Sequence, residues 1–171
     1  MHNENEQCGK YCVFDCHGHR FAIEALSVRS VEPWSSWTTL PAAPDCLAGL
    51  ACLHKEFVPL FLLQEFVSPN VNAADPGNQM LFLDTGAGAW GILIDQVLGL
   101  ESIEVSFNAA RGSAADWDQV MGGSATFQDQ FVSVIDAELL FELLESRLRS
   151  HWDNVIDGVQ SECDASESVA V

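Results

Sequence analysis

Basic residues are scarce in this chain. Seven lysines and arginines stand against 25 aspartates and glutamates, a formal net charge of −18. The seven (Lys10, Arg20, Arg29, Lys55, Arg111, Arg147 and Arg149) are scattered along the sequence. No basic stripe is left to neutralise phosphates, so nucleic acid is excluded as a partner. The same excess opposes adsorption to anionic lipid and favours solubility or a basic partner surface. Long apolar runs are also missing: Leu47 to Leu53 and Phe57 to Leu63 fall far short of the ~20 residues that cross a bilayer. No direct membrane insertion is expected. The polar, acidic start Met1 to Lys10 lacks the basic and apolar regions of a secretory signal, so it is expected to be flexible and the address cytoplasmic. Without such a signal, the six cysteines (Cys8, Cys12, Cys16, Cys46, Cys52 and Cys163) read as free thiols and not as a disulfide framework. Cys46 and Cys52 sit among apolar neighbours and read as core.

Catalytic motifs are absent too. There is no Gly-x-Ser-x-Gly elbow, no His-Glu-x-x-His and no phosphate-binding Gly-x-x-x-x-Gly-Lys-Ser/Thr, which argues against an enzyme. Asp15 and Asp95 are candidate acids, but neither has a carboxylate or histidine partner visible at useful spacing. Gly86-Ala-Gly88-Ala-Trp-Gly91 has the spacing of a dinucleotide-binding turn. Phosphate binding needs a helix directly after the glycines, whereas Trp90 to Asp95 reads as a strand, so a hairpin turn is the better reading. Cys8, Cys12, Cys16, His17 and His19 are soft ligands that could hold zinc. In an extended strand, however, Cys12 and Cys16 would lie on the order of 13 Å apart, too far for one ion. Pairing of Cys16 with His17 or His19 stays open, and no cofactor is expected.

What is present are many short apolar segments separated by turn residues, in a length that suits one domain. Strands are expected at Tyr11 to Cys16, His19 to Ile23, Val31 to Trp34, Phe57 to Leu62, Met80 to Asp84, Ala89 to Asp95, Ser102 to Phe107 and Gln130 to Ile135. The first two flank a Cys-His-Gly-His turn in which Gly18 can take positive φ. Leu40 to Pro44 is a proline-bound connection. Ser68 to Asn78 and Asn108 to Gly123 read as loops. Asp136 is placed to cap a helix carrying Leu139, Leu140, Leu143, Leu144 and Leu148. The acidic stretch 153–171 offers few large side chains to bury and is expected to be disordered. The fold class is therefore mainly β, one domain over 11–152 with a C-terminal helix. Trp34, Trp37 and Trp117 lie in connections, where a ring either anchors a partner or covers a barrel end.

A family resemblance attaches to four blocks. Ala43-Pro-Asp-Cys-Leu-Ala-Gly49-Leu-Ala-Cys-Leu53 followed by Phe57-Val-Pro59-Leu-Phe-Leu-Leu63 resembles the central signature of CheW-like domains. Phe21-Ala-Ile23 with Val28 and Val31, Gly91 to Val97, and Gly123 with Phe131 to Leu140 follow in the family's order. The resemblance implies two intertwined five-stranded β-barrels and a non-catalytic scaffold that links chemoreceptors to the regulatory domain of the histidine kinase CheA. It places the protein-binding residues at Val28, Ser30, Val31, Gly49, Leu50, His54, Lys55 and Val58, with the kinase regulatory domain and the cytoplasmic tip of a chemoreceptor, or a divergent equivalent, as partners. This chain departs from the pattern at four of the family's positions. Ser30 stands where the family has glutamate, His54 and Lys55 where it has arginine and glycine, and Leu62 where it has aspartate. Removing one member of a buried ion pair costs about 3–5 kcal/mol, while removing both can be near neutral. The paired changes at Ser30 and His54 therefore suit a rewritten docking surface, with a different partner or a small-ligand or metal role as the alternative.

Overall fold

In the computed structural model, residues 6–68, 77–107 and 116–167 are described. Ten strands form two five-stranded sheets. The first is a closed barrel made by β1 (Glu6–Cys16), β2 (His19–Glu24), β10 (Gln130–Ile135), β9 (Met121–Phe127) and β8 (Gln96–Phe107), in that order round the ring. The second has the order β3 (Val28–Pro33), β6 (Gln79–Thr85), β7 (Gly88–Ile94), β5 (Glu56–Leu62), β4 (Leu47–Leu53), which leaves β3 and β4 as edges. The chain leaves the barrel after β2, builds the whole second sheet and returns for β8. The two excursions leave one parallel pairing in each sheet, β2 with β10 and β5 with β7. The halves are intertwined as expected. The difference is that the second sheet is open, where a second barrel was expected.

Strand alternation produces three cores. In β1, Tyr11 and Val13 face the barrel interior with Ala22, Ile103, Val105, Ala125, Val132 and Val134. Their neighbours Cys12, Phe14 and Cys16 face outward, into a core shared with Phe61, Leu81, Leu83, Trp90 and Ile92 of the second sheet. The other face of that sheet buries Val58, Leu60, Met80, Phe82 and Leu93. Successive residues of these strands are thus buried on opposite faces, and this is why the sequence shows continuous apolar runs in place of clean alternation. The shared core is closed by Leu140, Leu143 and Leu144 of a long helix, α3 (Ala137–Glu167). Asp136 caps it as expected, accepting from the Leu139 N–H at 3.1 Å. Glu138 pins it to the second sheet by accepting from the Gly86 N–H at 3.1 Å.

Several expectations need correction. Cys46 is buried as expected, but Cys52, also read as core, is exposed because it lies on the outward face of β4. The first ten residues were expected to be flexible; residues 1–5 lie outside the described residues, but Glu6 to Lys10 belong to β1, because they pair with Ser102 to Ser106 of the long β8. The stretch from 153 was expected to be disordered, but α3 continues to Glu167. Leu47 to Leu53 is a strand, with an alternating buried pattern. Finally, β9 occupies part of the expected loop Asn108 to Gly123; residues 108–115 lie outside the described residues. Its glycines, which read as loop composition, are there for close approach: a Cβ on Gly123 would meet Ser106 O at 2.9 Å; Ala125, further along, is buried inside the barrel. Among their described residues the segments named as loops and connections otherwise hold no strand; Asn108 to Gly123 also contains the short helix α2 (Trp117–Val120), and another short helix, α1 (Gln64–Val67), ends just before Ser68.

Candidate functional site

All eight residues named from the resemblance fall on the second sheet or its turns. Val28, Ser30 and Val31 lie on β3, Gly49 and Leu50 on β4, His54 and Lys55 in the β4–β5 turn, and Val58 on β5. The two edge strands are far apart in sheet order but close in space, because the sheet curls. Glu32, Pro33, Trp34 and Ser35, at and just past the end of β3, face Cys52, Leu53 and His54 across a hollow of about 310 Å³ floored by Met80 and Phe82. Arg29 reaches from β3 to Glu56 beside the β4–β5 turn, with Nη2 to Oε2 at 3.6 Å. The result is a seam between two strand edges, the kind of surface on which a partner strand or side chains can dock.

The named residues play unequal parts in this seam. Val31 is 36% exposed and His54 is exposed, so both present side chains outward. Val58 is 3% exposed and packs in the interior of the second sheet; its side chain is core. The Ser30 hydroxyl oxygen is buried and has no hydrogen-bond partner among the described residues. Gly49 is buried at φ +149°, and a Cβ there would stand 2.1 Å from Thr38 O. It is the point where the chain 37–38 crosses β4: Thr38 and Leu50 exchange backbone hydrogen bonds of 2.9 and 2.8 Å. Leu62, the fourth departure, is half-buried against the interior of the second sheet. His54 and Lys55 both adopt positive φ, 49° and 71°, the conformation of a type I′ turn that normally takes Asn-Gly. Lys55, where the resemblance places glycine, therefore holds a glycine-type backbone conformation under strain.

Phe57, 72% exposed at the start of β5, was not anticipated at the seam. Trp34, considered as an anchor, is 53% exposed and meets Trp37 edge-on at 5.7 Å. The contact across the seam is made by Arg29 and Glu56, one residue away from Ser30 and two from His54 in sequence. Exposed apolar side chains on strands otherwise rich in buried ones carry no periodic mark, so burial alone reveals them. Trp117, the third tryptophan considered as an anchor, stacks on Phe66 at 5.2 Å and meets Phe21 edge-on; it covers the core.

Elsewhere the chemistry is quiet. Asp15, His19, Arg20 and Asp95 do share a hollow of about 580 Å³ near the β1–β2 turn, a grouping that sequence spacing concealed. The Asp15 carboxylate there accepts two hydrogen bonds from Arg20, at 2.9 and 3.3 Å, which ties up both oxygens. Burial pushes the thiols of Cys12 and Cys46 up to about 11 and that of Cys16 up to about 12, so each is a neutral, unreactive group at physiological pH. Among the described residues no three histidine, cysteine or acidic side chains gather as metal ligands. Gly86 to Gly91 form the β6–β7 hairpin, with β7 beginning at Gly88 and no helix following. No described helix is long and apolar enough to cross a membrane.

Comparison with known proteins agrees with this architecture. No curated protein sequence matches the chain. Among solved structures, the scaffolding protein TtCheW from Thermoanaerobacter tengcongensis superposes with a TM-score of 0.66 at 18% identity, covering 80% of this chain and 94% of that one. At that identity the likeness speaks to fold. The CheW-like domain family itself matches residues 10–145, a span that takes in both sheets and the start of α3. With two interleaved five-stranded sheets around a shared core and most of its length matched, the chain belongs to the CheW-like domain family.

Proposed function

We propose that this protein is a non-catalytic coupling adaptor of a chemotaxis-type signalling system, joining a receptor to the regulatory domain of a CheA-type histidine kinase. The observation that carries the proposal is the open seam of the second sheet. Two strand edges flanked by Val31, Trp34 and Phe57 make a surface suited to docking a protein. An adaptor needs at least two such surfaces, and Phe131, 70% exposed on β10 of the barrel, marks an apolar position on the opposite half. The name of TtCheW, a scaffolding protein, is in keeping with this role. Its site of action would be cytoplasmic, at receptor arrays.

The altered seam points to a partner adapted to it. Ser30 and His54 depart together from the family pattern, so the receptor end is expected to be a divergent equivalent of the usual tip. Titration calorimetry of the full chain against a CheA regulatory domain, and separately against a standard receptor-tip fragment, tests both halves. Kinase binding that is lost in the Phe57→Asp, Val31→Asp double variant, with the melting temperature kept, is the expected result. Failure of the wild-type chain to bind any CheA regulatory domain would overturn the adaptor role. Restoring Ser30→Glu with His54→Arg is expected to raise affinity for the standard receptor fragment; unchanged affinity would remove the rewritten-surface explanation.

A further inference from the structure

The last contacts described between α3 and the body are Arg147, which pairs with Glu65 at 3.6 Å and lies over the Phe66 ring at 5.6 Å, and His151, whose Nε2 is 2.7 Å from Ala42 O. The helix nevertheless runs on to Glu167, a further stretch of about 24 Å at the usual rise per residue. Trp152, Val155, Ile156 and Val159 follow the spacing i, i+3, i+4, i+7 and so occupy one face. Ile156 is 53% and Val159 55% exposed. The family match ends at residue 145, so this extension is a feature of the chain beyond the shared domain.

Local forces do little to hold this segment helical. Gly158 lies in its interior, and its last turn carries no basic residue to complement the dipole. From Asp153 onward the helix carries Asp153, Asp157, Glu162, Asp164 and Glu167 and neither lysine nor arginine. A second copy of the helix would bring acidic flank against acidic flank. An anionic lipid surface would be repelled.

We propose that the extension of α3 is a docking helix for a basic amphipathic helix on a partner protein, which would cover Trp152, Ile156 and Val159 and set its lysines or arginines against Asp153 and Asp157. The surface lies outside the seam and is independent of the coupling role.

The test uses the full chain and three labelled synthetic peptides of about 20 residues. One has leucines at i, i+3, i+4, i+7 and lysines elsewhere; one has the same composition shuffled to abolish the apolar face; one keeps the leucines with glutamate in place of lysine. Fluorescence anisotropy is expected to show tight binding of the first alone. Affinity should fall about tenfold in Ile156→Asp, Val159→Asp and severalfold in Asp153→Asn, Asp157→Asn, which leaves the stripe intact. Gly158→Ala, whose added Cβ meets open space, should strengthen binding by favouring the helix. Equal binding of the ordered and shuffled basic peptides, or equal affinity in all variants, would reduce the effect to general attraction to an acidic protein and overturn the proposal. A wild-type chain that sediments as a dimer, dissociated by Ile156→Asp, would assign the stripe to a second copy and overturn it likewise.

Discussion

Single residues here are constrained mainly by close approach and by burial. At Gly49 the φ of +149° and the 2.1 Å gap to Thr38 O leave no room for a side chain, so Gly49→Ala must push apart the crossing that Thr38 and Leu50 close. Strain and overpacking together are expected to cost about 2–4 kcal/mol, seen as a lower urea midpoint with an unchanged slope; a midpoint equal to wild type would mean the crossing is dispensable. The thiols make a separate prediction. Cys8 and Cys52 are exposed, while Cys12, Cys16 and Cys46 are buried with raised pKa values. A folded thiol that holds its proton above the unfolded value of 9.0 contributes stability that is fully present below pH 9. That stability declines as pH rises through about 11 to 12, because only the unfolded chain gains by ionising. Melting temperature should therefore fall more steeply above pH 9 in the wild type than in Cys16→Ala; parallel curves would show that this thiol is not linked to unfolding.

At the scale of elements, turns and the helix end behave differently from the strands. Three hairpins place two residues in the left-handed region: His17 and Gly18, His54 and Lys55, Gln128 and Asp129. Only the first has the glycine that such a turn favours, and it was the one recognised from sequence. The β4–β5 turn keeps its geometry because Leu47 to Leu53 and Phe57 to Phe61 hold register across it, with a single irregularity near Gly49, and that pairing outweighs a cost of roughly 1–2 kcal/mol per strained residue. Replacing Lys55→Gly should relieve part of it and stabilise the protein by about 0.5–1 kcal/mol in urea titration. Destabilisation would mean that the lysine side chain contributes more than its backbone costs. Helix α3 was legible at its start, where Asp136 and the leucine spacing agree, and illegible at its end, where acidic composition concealed a short apolar stripe.

Over the whole molecule, the shared core decides how the two halves behave. It draws Phe14 and Ile23 from the barrel, Phe61 and Trp90 from the open sheet and Leu144 from α3, so each half, beside its own interior, has one apolar face that only the other half and α3 cover. Unfolding is expected to be a single transition in which both halves melt together. Leu144→Ala, which empties a fully buried site, should cost about 2–5 kcal/mol and shift near-ultraviolet and far-ultraviolet signals to the same lower midpoint. Two separated midpoints would show that the barrel and the open sheet are independent units.

Residue pattern alone determined the mainly β class, most of the strands, the capped start of α3, the hairpin nature of Gly86 to Gly91 and, through four ordered blocks, the family. These are local or near-local properties, expressed in turn chemistry, spacing and the order of short apolar segments. Tertiary structure decided the rest. It made Glu6 to Lys10 part of a strand by supplying β8 as a partner, and made the glycine-rich Met121 to Phe127 a strand by drawing it close to Ser106. It also buried Val58 and the Ser30 hydroxyl while leaving Phe57 and Trp34 in solvent. Which face of a doubly buried strand meets which core, and which apolar side chain is left over, depends on residues distant in sequence. The seam and the exposed stripe on α3 therefore emerge only once both sheets are folded around their common core.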